Sequence, residues 1–109
     1  MNDPEFEISV EELARCLHDG ADWEVLDVRE SWEREICAIP GSRHVPLGQL
    51  PVRIGEIPRD KTIAVVCHHG YRSARATEWL QARGFKAVVN LMGGIDAWAR
   101  RIDAGMQTY

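Results

Sequence analysis

Thr62-Ile63-Ala64-Val65-Val66-Cys67-His68-His69-Gly70-Tyr71-Arg72-Ser73 is the stretch on which the reading of this chain turns. Ile63 to Cys67 is the longest unbroken apolar run, and β-branched residues dominate it. A run that is apolar at every residue, not at alternate ones, suits a parallel strand covered on both faces. A short loop then leads into a helix predicted over Ser73 to Arg83. Ala76, Trp79, Leu80 and Arg83 share its register, and Gly84 stops it.

The same alternation extends outward in both directions. Downstream, Ala87 to Asn90 reads as a second buried strand. Gly93-Gly94 then opens a last helix with Ile95, Trp98, Ala99 and Ile102 inward. Upstream, Trp23 to Val28 reads as a strand, a brief helix starts near Ser31, and Ile39-Pro40-Gly41-Ser42 is a turn. Arg43-His44-Val45-Pro46 is an edge strand ended by proline. Ser9-Val10-Glu11-Glu12 has the form of a capping box, followed by Val10, Leu13, Ala14 and Leu17 on one helical face and by Gly20 as a stop. Residues 47–58 fit a helix only with Pro51 near its start. Strands alternating with helices predict an α/β fold, a mainly parallel sheet with helices on both faces. At 109 residues the chain is the size of one domain, 1–109.

Composition narrows the function. With 45 % apolar residues a core can form. The longest apolar run is far below the roughly 20 residues of a membrane-spanning helix, so no membrane partner is expected. Met1-Asn2-Asp3-Pro4-Glu5 lacks the basic-then-apolar pattern of a secretory leader. Net charge is −4, unevenly spread: residues 1–35 carry 12 acids against 3 bases, residues 36–109 carry 5 against 10. An acidic chain argues against nucleic acid as a partner and puts any anion chemistry in the second half. Cys16, Cys37 and Cys67 are too few and too irregular for a disulfide framework or a zinc motif. Reduced thiols in the cytoplasm are the expectation.

In parallel α/β sheets ligands bind beyond the carboxyl ends of the strands, which is where Cys67 falls. The amides after it can curl around its sulfur as a nest, and the following helix aims its positive end at the same point. Gly70 permits a positive φ in mid-loop. His68, His69, Arg72 and Arg75 add positive charge nearby. Such surroundings favour a thiolate, lowering a cysteine pKa from ~8.5 to as little as roughly 3.5–7.5. The residues describe a nucleophilic sulfur in an anion cradle.

Four motifs carry a family resemblance: Asp27-Val28-Arg29, Ile39-Pro40-Gly41-Ser42, the Cys67–Arg72 loop, and Gly93-Gly94-Ile95-Asp96-Ala97-Trp98. In this order and spacing they resemble a single-domain rhodanese, a thiosulfate sulfurtransferase-like protein, over about residues 5–103. The resemblance implies that Cys67 takes a sulfane sulfur from a donor such as thiosulfate or a persulfide. Cys67 would pass it to cyanide, a small thiol or a protein thiol. His68, His69, Gly70, Tyr71, Arg72 and Ser73 would bind the substrate, with no cofactor and no metal. The chain departs from the family in carrying Cys37-Ala38 where Gly-His usually precedes Ile-Pro-Gly, and in its bulky loop residues, which bear on donor choice.

Other readings stand beside these. A buried cysteine at a strand end is often simple packing. Asp27 and Arg29 are read as an ion pair supporting the strand end, not as acid and base. Cys16 reads as a half-buried filler, and Cys37 as a packing residue or a second thiol. Adjacent His68 and His69 are expected to diverge and hold no metal. Trp23, Trp32, Trp79 and Trp98 are expected in the core, and the early acidic residues on a solvated face. A phosphatase or arsenate reductase loop would place five residues between cysteine and arginine, whereas Cys67 and Arg72 enclose four. A carrier or binding module relaying persulfide between proteins is the remaining alternative. Arg72 is expected to favour anionic donors, or else to pair with an acid such as Glu30.

Overall fold

A computed structural model describes residues 6–109. In chain order the elements are β1 (Glu7–Ile8), α1 (Val10–His18), β2 (Trp23–Asp27), α2 (Ser31–Ile36), β3 (Arg43–His44), α3 (Leu50–Arg53), β4 (Thr62–Val66), α4 (Tyr71–Ala82), β5 (Val88–Leu91) and α5 (Gly94–Arg101). The strands form one sheet in the order β1-β5-β4-β2-β3, with every pair parallel. This is the expected α/β architecture.

Handedness places the helices. The connections β1-α1-β2 and β2-α2-β3 run across the sheet in one direction, while β3-α3-β4 and β4-α4-β5 run in the other. Right-handed crossovers in opposite directions must cover opposite faces. The core divides accordingly. Ile63, Val65 and Cys67 pack with Leu26, Val28, Leu50, Ala76 and Leu80 on the α3/α4 face. Ala64 and Val66 pack with Val10, Leu13, Val25, Leu91, Ile95 and Trp98 on the α1/α5 face. β4, buried on both sides, explains why its sequence is apolar throughout.

Several expectations shift. α4 begins at Tyr71, two residues earlier than predicted, which brings its first turn up to the loop. β5 runs to Leu91, one residue further than expected, and β2 ends at Asp27. Residues 47–56 make one α turn, with a proline in its first positions, between two 3₁₀ turns. β1 was not foreseen: two residues are too short for a periodic signal. Ser9 caps α1 by accepting from the Glu12 amide at 3.1 Å, but Glu12 returns no bond to it. The reciprocal capping box sits instead at Glu30 and Glu33. Trp32 does not join the core: it is 60 % exposed, while Trp23 and Trp79 are half-buried and Trp98 is buried. Glu11 and Glu12 are exposed as expected, and Met1 to Glu5 lie outside the described residues.

Leu80 is fully buried between α4 and the sheet, whereas Val52 on α3 is 88 % exposed. Leu80→Ala is expected to cost about 2–5 kcal/mol in denaturant unfolding, and Val52→Ala less than about 0.5 kcal/mol. Similar costs for the two would contradict this packing.

Candidate active site

The parallel sheet brings the ends of β2, β4 and β5 to one edge, and with them Asp27-Val28-Arg29, the Cys67 loop and Gly93-Gly94. Cys67 follows β4 with its side chain on the α4 face, 1 % exposed. The loop doubles back on it. The Gly70 amide donates to Cys67 Sγ at 3.1 Å and the Ser73 amide, in the first turn of α4, at 3.3 Å. The Ser73 hydroxyl lies 3.2 Å from the same sulfur. Gly70 makes the reversal with φ at 104°, a region that side chains disfavour. Among the described residues, the amides of His68, His69, Tyr71 and Arg72 meet no protein acceptor. The loop is thus a ring of donors, two on the resting sulfur and four unclaimed, at the positive end of a helix.

α5 holds this ring open. The Ile95 amide donates to the Cys67 carbonyl at 2.8 Å and the Asp96 amide to the His68 carbonyl at 3.1 Å. A trans peptide sets N–H opposite C=O, so fixing these carbonyls turns the His68 and His69 amides away from α5. A Cβ on Gly94 would stand 2.5 Å from both carbonyl oxygens. Gly94 is therefore required by close approach of two backbones, whereas a Cβ on Gly93 would meet the Ala97 side chain at 2.6 Å.

Asp27 and Arg29 form the expected ion pair, 2.7 Å between Nη2 and Oδ2, both fully buried. Arg29 also donates to the carbonyls of Glu33 and Cys37, fixing the end of α2. Arg34 joins the pair through Asp27 and the Ser42 hydroxyl. Arg72 does not stand free over the loop, and its partner is not Glu30, whose side chain caps α2. It makes a two-pronged pair with the buried Glu33, at 2.6 and 2.7 Å. The Arg72 bond holds the Glu33 carboxyl at about 2, against the opposition of burial. Tyr109 completes the network: its hydroxyl donates to Glu33 at 2.7 Å and accepts from Arg29 at 3.1 Å. Burial, together with Glu33, pushes the Tyr109 phenol up to about 12 despite Arg29.

The histidines do not diverge. The His68 and His69 rings lie 3.9 Å apart and tilted by 30°, and His68 stacks on Tyr109 at 3.8 Å. Burial and His69 lower the His68 pKa, so at neutral pH it adds no charge to the loop. No group of three or more His, Cys, Asp or Glu among the described residues is placed to hold a metal. Tyr71 is 82 % exposed at the rim, and Arg75 is exposed on the same helix. Cys37 sits half-buried with Sγ 3.8 Å from Arg29 Nη1, and Cys16 is half-buried on α1. A cleft of about 420 Å³ beside the loop is lined by His69, Gly70, Tyr71 and Asn90 among others. The roomier groove, about 920 Å³, lies at the opposite ends of the strands around Trp23, Thr62 and Phe85 and holds no thiol.

Glu33, Asn90 and Tyr109 were missed by the sequence reading. Asn90, a polar residue within the otherwise apolar Val88–Leu91, and the i, i+3 spacing of Glu30 and Glu33 were signals for two of them. Nothing in the sequence pointed to Tyr109.

Two substitutions test this geometry. Gly94→Ala is expected to destabilise the fold by on the order of 2–4 kcal/mol and to change the rate at which iodoacetamide alkylates Cys67. A variant with unchanged melting and alkylation would contradict the close approach. Glu33→Gln removes a carboxylate held at about 2, below the ordinary 4.5 that it regains on unfolding. Its ionised form stabilises the fold fully above pH 4.5, and that contribution is lost as pH falls toward 2. The Tm gap between the parent and Glu33→Gln should close over that window, and a gap independent of pH would refute the pairing.

Comparison with known proteins bears on the fold and family. Residues 9–101 match the Rhodanese-like domain family. A sulfurtransferase of Allochromatium vinosum is 38 % identical over 94 residues, 86 % of this chain and 88 % of its own. The putative sulfur carrier protein YrkF of Bacillus subtilis is 35 % identical over 97 residues, covering 89 % of this chain, which spans only 52 % of that relative. The crystal structure of a rhodanese-related protein from Thermoplasma volcanium matches with a TM-score of 0.80 at 34 % identity, covering 94 % of this chain and 95 % of that one. On the family match, the relatives and the fold together, this chain belongs to the rhodanese-like family.

Proposed function

We propose that the chain is a sulfurtransferase that carries a sulfane sulfur as a persulfide on Cys67, working where thiols stay reduced, as in the cytoplasm. The observation that carries this reading is the ring of amides: two on Cys67 Sγ and four more, from His68, His69, Tyr71 and Arg72, without a protein acceptor. The Cys67 thiolate attacks the outer sulfur of the donor and forms a new S–S bond. The donor's own S–S bond breaks, and its electron pair leaves with sulfite when thiosulfate is the donor. The persulfide anion then lies within the donor ring. An acceptor thiolate or cyanide takes the outer sulfur, and Cys67 departs as the thiolate. Four residues between Cys67 and Arg72, with Arg72 turned to Glu33, support a sulfur-sized cradle over one for phosphate.

The Arg72–Glu33 pair also supports a second reading, in which the donor is a persulfide or a protein partner. A guanidinium already matched by a carboxylate attracts a dianion weakly, and the neutral His68 adds nothing. The sulfur-carrier relative fits such a relay.

Intact-mass measurement after incubation with thiosulfate, or with a small-thiol persulfide, tests both readings. One sulfur atom should be added to the parent chain and to Cys37→Ala, and none to Cys67→Ala. A label that survives in Cys67→Ala would refute the assignment. If Arg72 serves donor charge, Arg72→Ala should slow thiosulfate by roughly tenfold and the persulfide less. Equal losses with both donors, together with a lower Tm, would assign Arg72 to holding Glu33 alone.

A further inference from the structure

Asn90 is a polar side chain 2 % exposed, in the middle of the sheet, and the reaction as described does not use it. It lies behind the Cys67 loop and bonds at both ends. Nδ2 donates to the Gly70 carbonyl at 3.2 Å, and Oδ1 accepts from the Ser73 hydroxyl at 2.5 Å. The orientation is forced. A carbonyl only accepts, so the amide group must turn its NH₂ to Gly70 and its oxygen to Ser73. Gly70 and Ser73 are the same two residues that donate to Cys67 Sγ. Sulfur, Gly70, Asn90 and Ser73 therefore close a ring of hydrogen bonds inside the protein.

The ring has one adjustable member. A serine hydroxyl has a single proton, and in the resting state Asn90 holds it. With that proton committed to Asn90, the Ser73 oxygen, 3.2 Å from Sγ, can face the sulfur only as an acceptor. When Cys67 ionises, its proton passes to water and no covalent bond forms elsewhere. The sulfur is now an acceptor only, and the Ser73 hydroxyl can turn from Asn90 to Sγ as a third donor beside the two amides.

We propose that Asn90 is a positioning residue that sets both donors of the Cys67 cradle, anchoring Gly70 through its carbonyl and governing which way the Ser73 hydroxyl points. It acts on the sulfur through these two residues. The inference rests on Cys67 as the reacting thiol, as in the proposed function. Alkylation reads that thiol without any sulfur donor. A failure of sulfur uptake would therefore overturn the proposed reaction and leave this inference standing.

The experiment is the pH profile of Cys67 alkylation by iodoacetamide, followed by intact mass, in the parent chain, Asn90→Asp, Ser73→Ala and the double variant. A carboxylate at position 90 cannot donate to Gly70 and holds the Ser73 proton more firmly. Asn90→Asp should therefore slow alkylation at pH 7 by about tenfold and move the profile to higher pH, with the slowing reduced to about threefold or less in the Ser73→Ala background. An unchanged profile in Asn90→Asp, or a full slowing that persists without Ser73, overturns the proposal. Should the buried carboxylate prevent folding, the unsubstituted protein answers the same question. The side-chain amide NMR signals of Asn90 should shift with the same pH midpoint as alkylation, and signals that stay fixed across that range overturn it.

Discussion

A loop that turns its amides inward to face a sulfur must turn carbonyls outward, and buried carbonyls need donors. Here two of them, from Cys67 and His68, are met by the first free amides of α5. Helix ends carry just such unpaired N–H groups. The arrangement works only if the helix backbone comes against the loop backbone, which is why a glycine stands at 94. One helix terminus, α5, satisfies the outside of the loop, and another, α4, lends its first-turn amide to the sulfur inside. The parallel sheet brings those two termini to one edge.

The second layer of support is ionic and buried. Asp27, Arg29, Glu33, Arg72 and Tyr109 are linked in one network, with Arg29 wholly out of solvent. Buried charges are costly unless fully matched, and Arg29 is matched by a carboxylate, two carbonyls and a phenol. The network joins α2 to the loop through Arg72 and to residues 103–109 through Tyr109. That geometry changes the meaning of Arg72. In the sequence it stood either as a cation serving anionic donors or as the partner of an acid such as Glu30; in the fold its charge is largely answered by Glu33, and donor charge matters correspondingly less.

Much of this was legible in the sequence, and the reasons differ by element. The unbroken apolar run at Ile63–Cys67 suited a doubly covered strand and placed Cys67 at its end, while the fold class followed from strands alternating with helices along the chain. Gly70, Gly93 and Gly94 marked backbone constraints that chemistry alone could interpret. What the sequence hid were long-range pairs. Glu33 and Arg72 are 39 residues apart and Tyr109 and Glu33 are 76 apart, with no periodicity connecting them. Trp32 was misread for the related reason that a helix of six residues has too little pattern to tell its buried face from its exposed one. Asn90 was visible as a polar residue in a buried strand, but its two partners became visible only once β5 lay beside the loop.

The account turns on where a transferred sulfur comes to rest. A crystal structure of the chain after reaction with a sulfur donor, with sulfur located by its anomalous signal, measures that directly. The account predicts one added sulfur bonded to Cys67 Sγ and lying within hydrogen-bond reach of the His68, His69, Tyr71 or Arg72 amides, with Ile95 and Asp96 still on the loop carbonyls. Added sulfur on Cys37, or a persulfide turned out of the loop away from those amides, would contradict it.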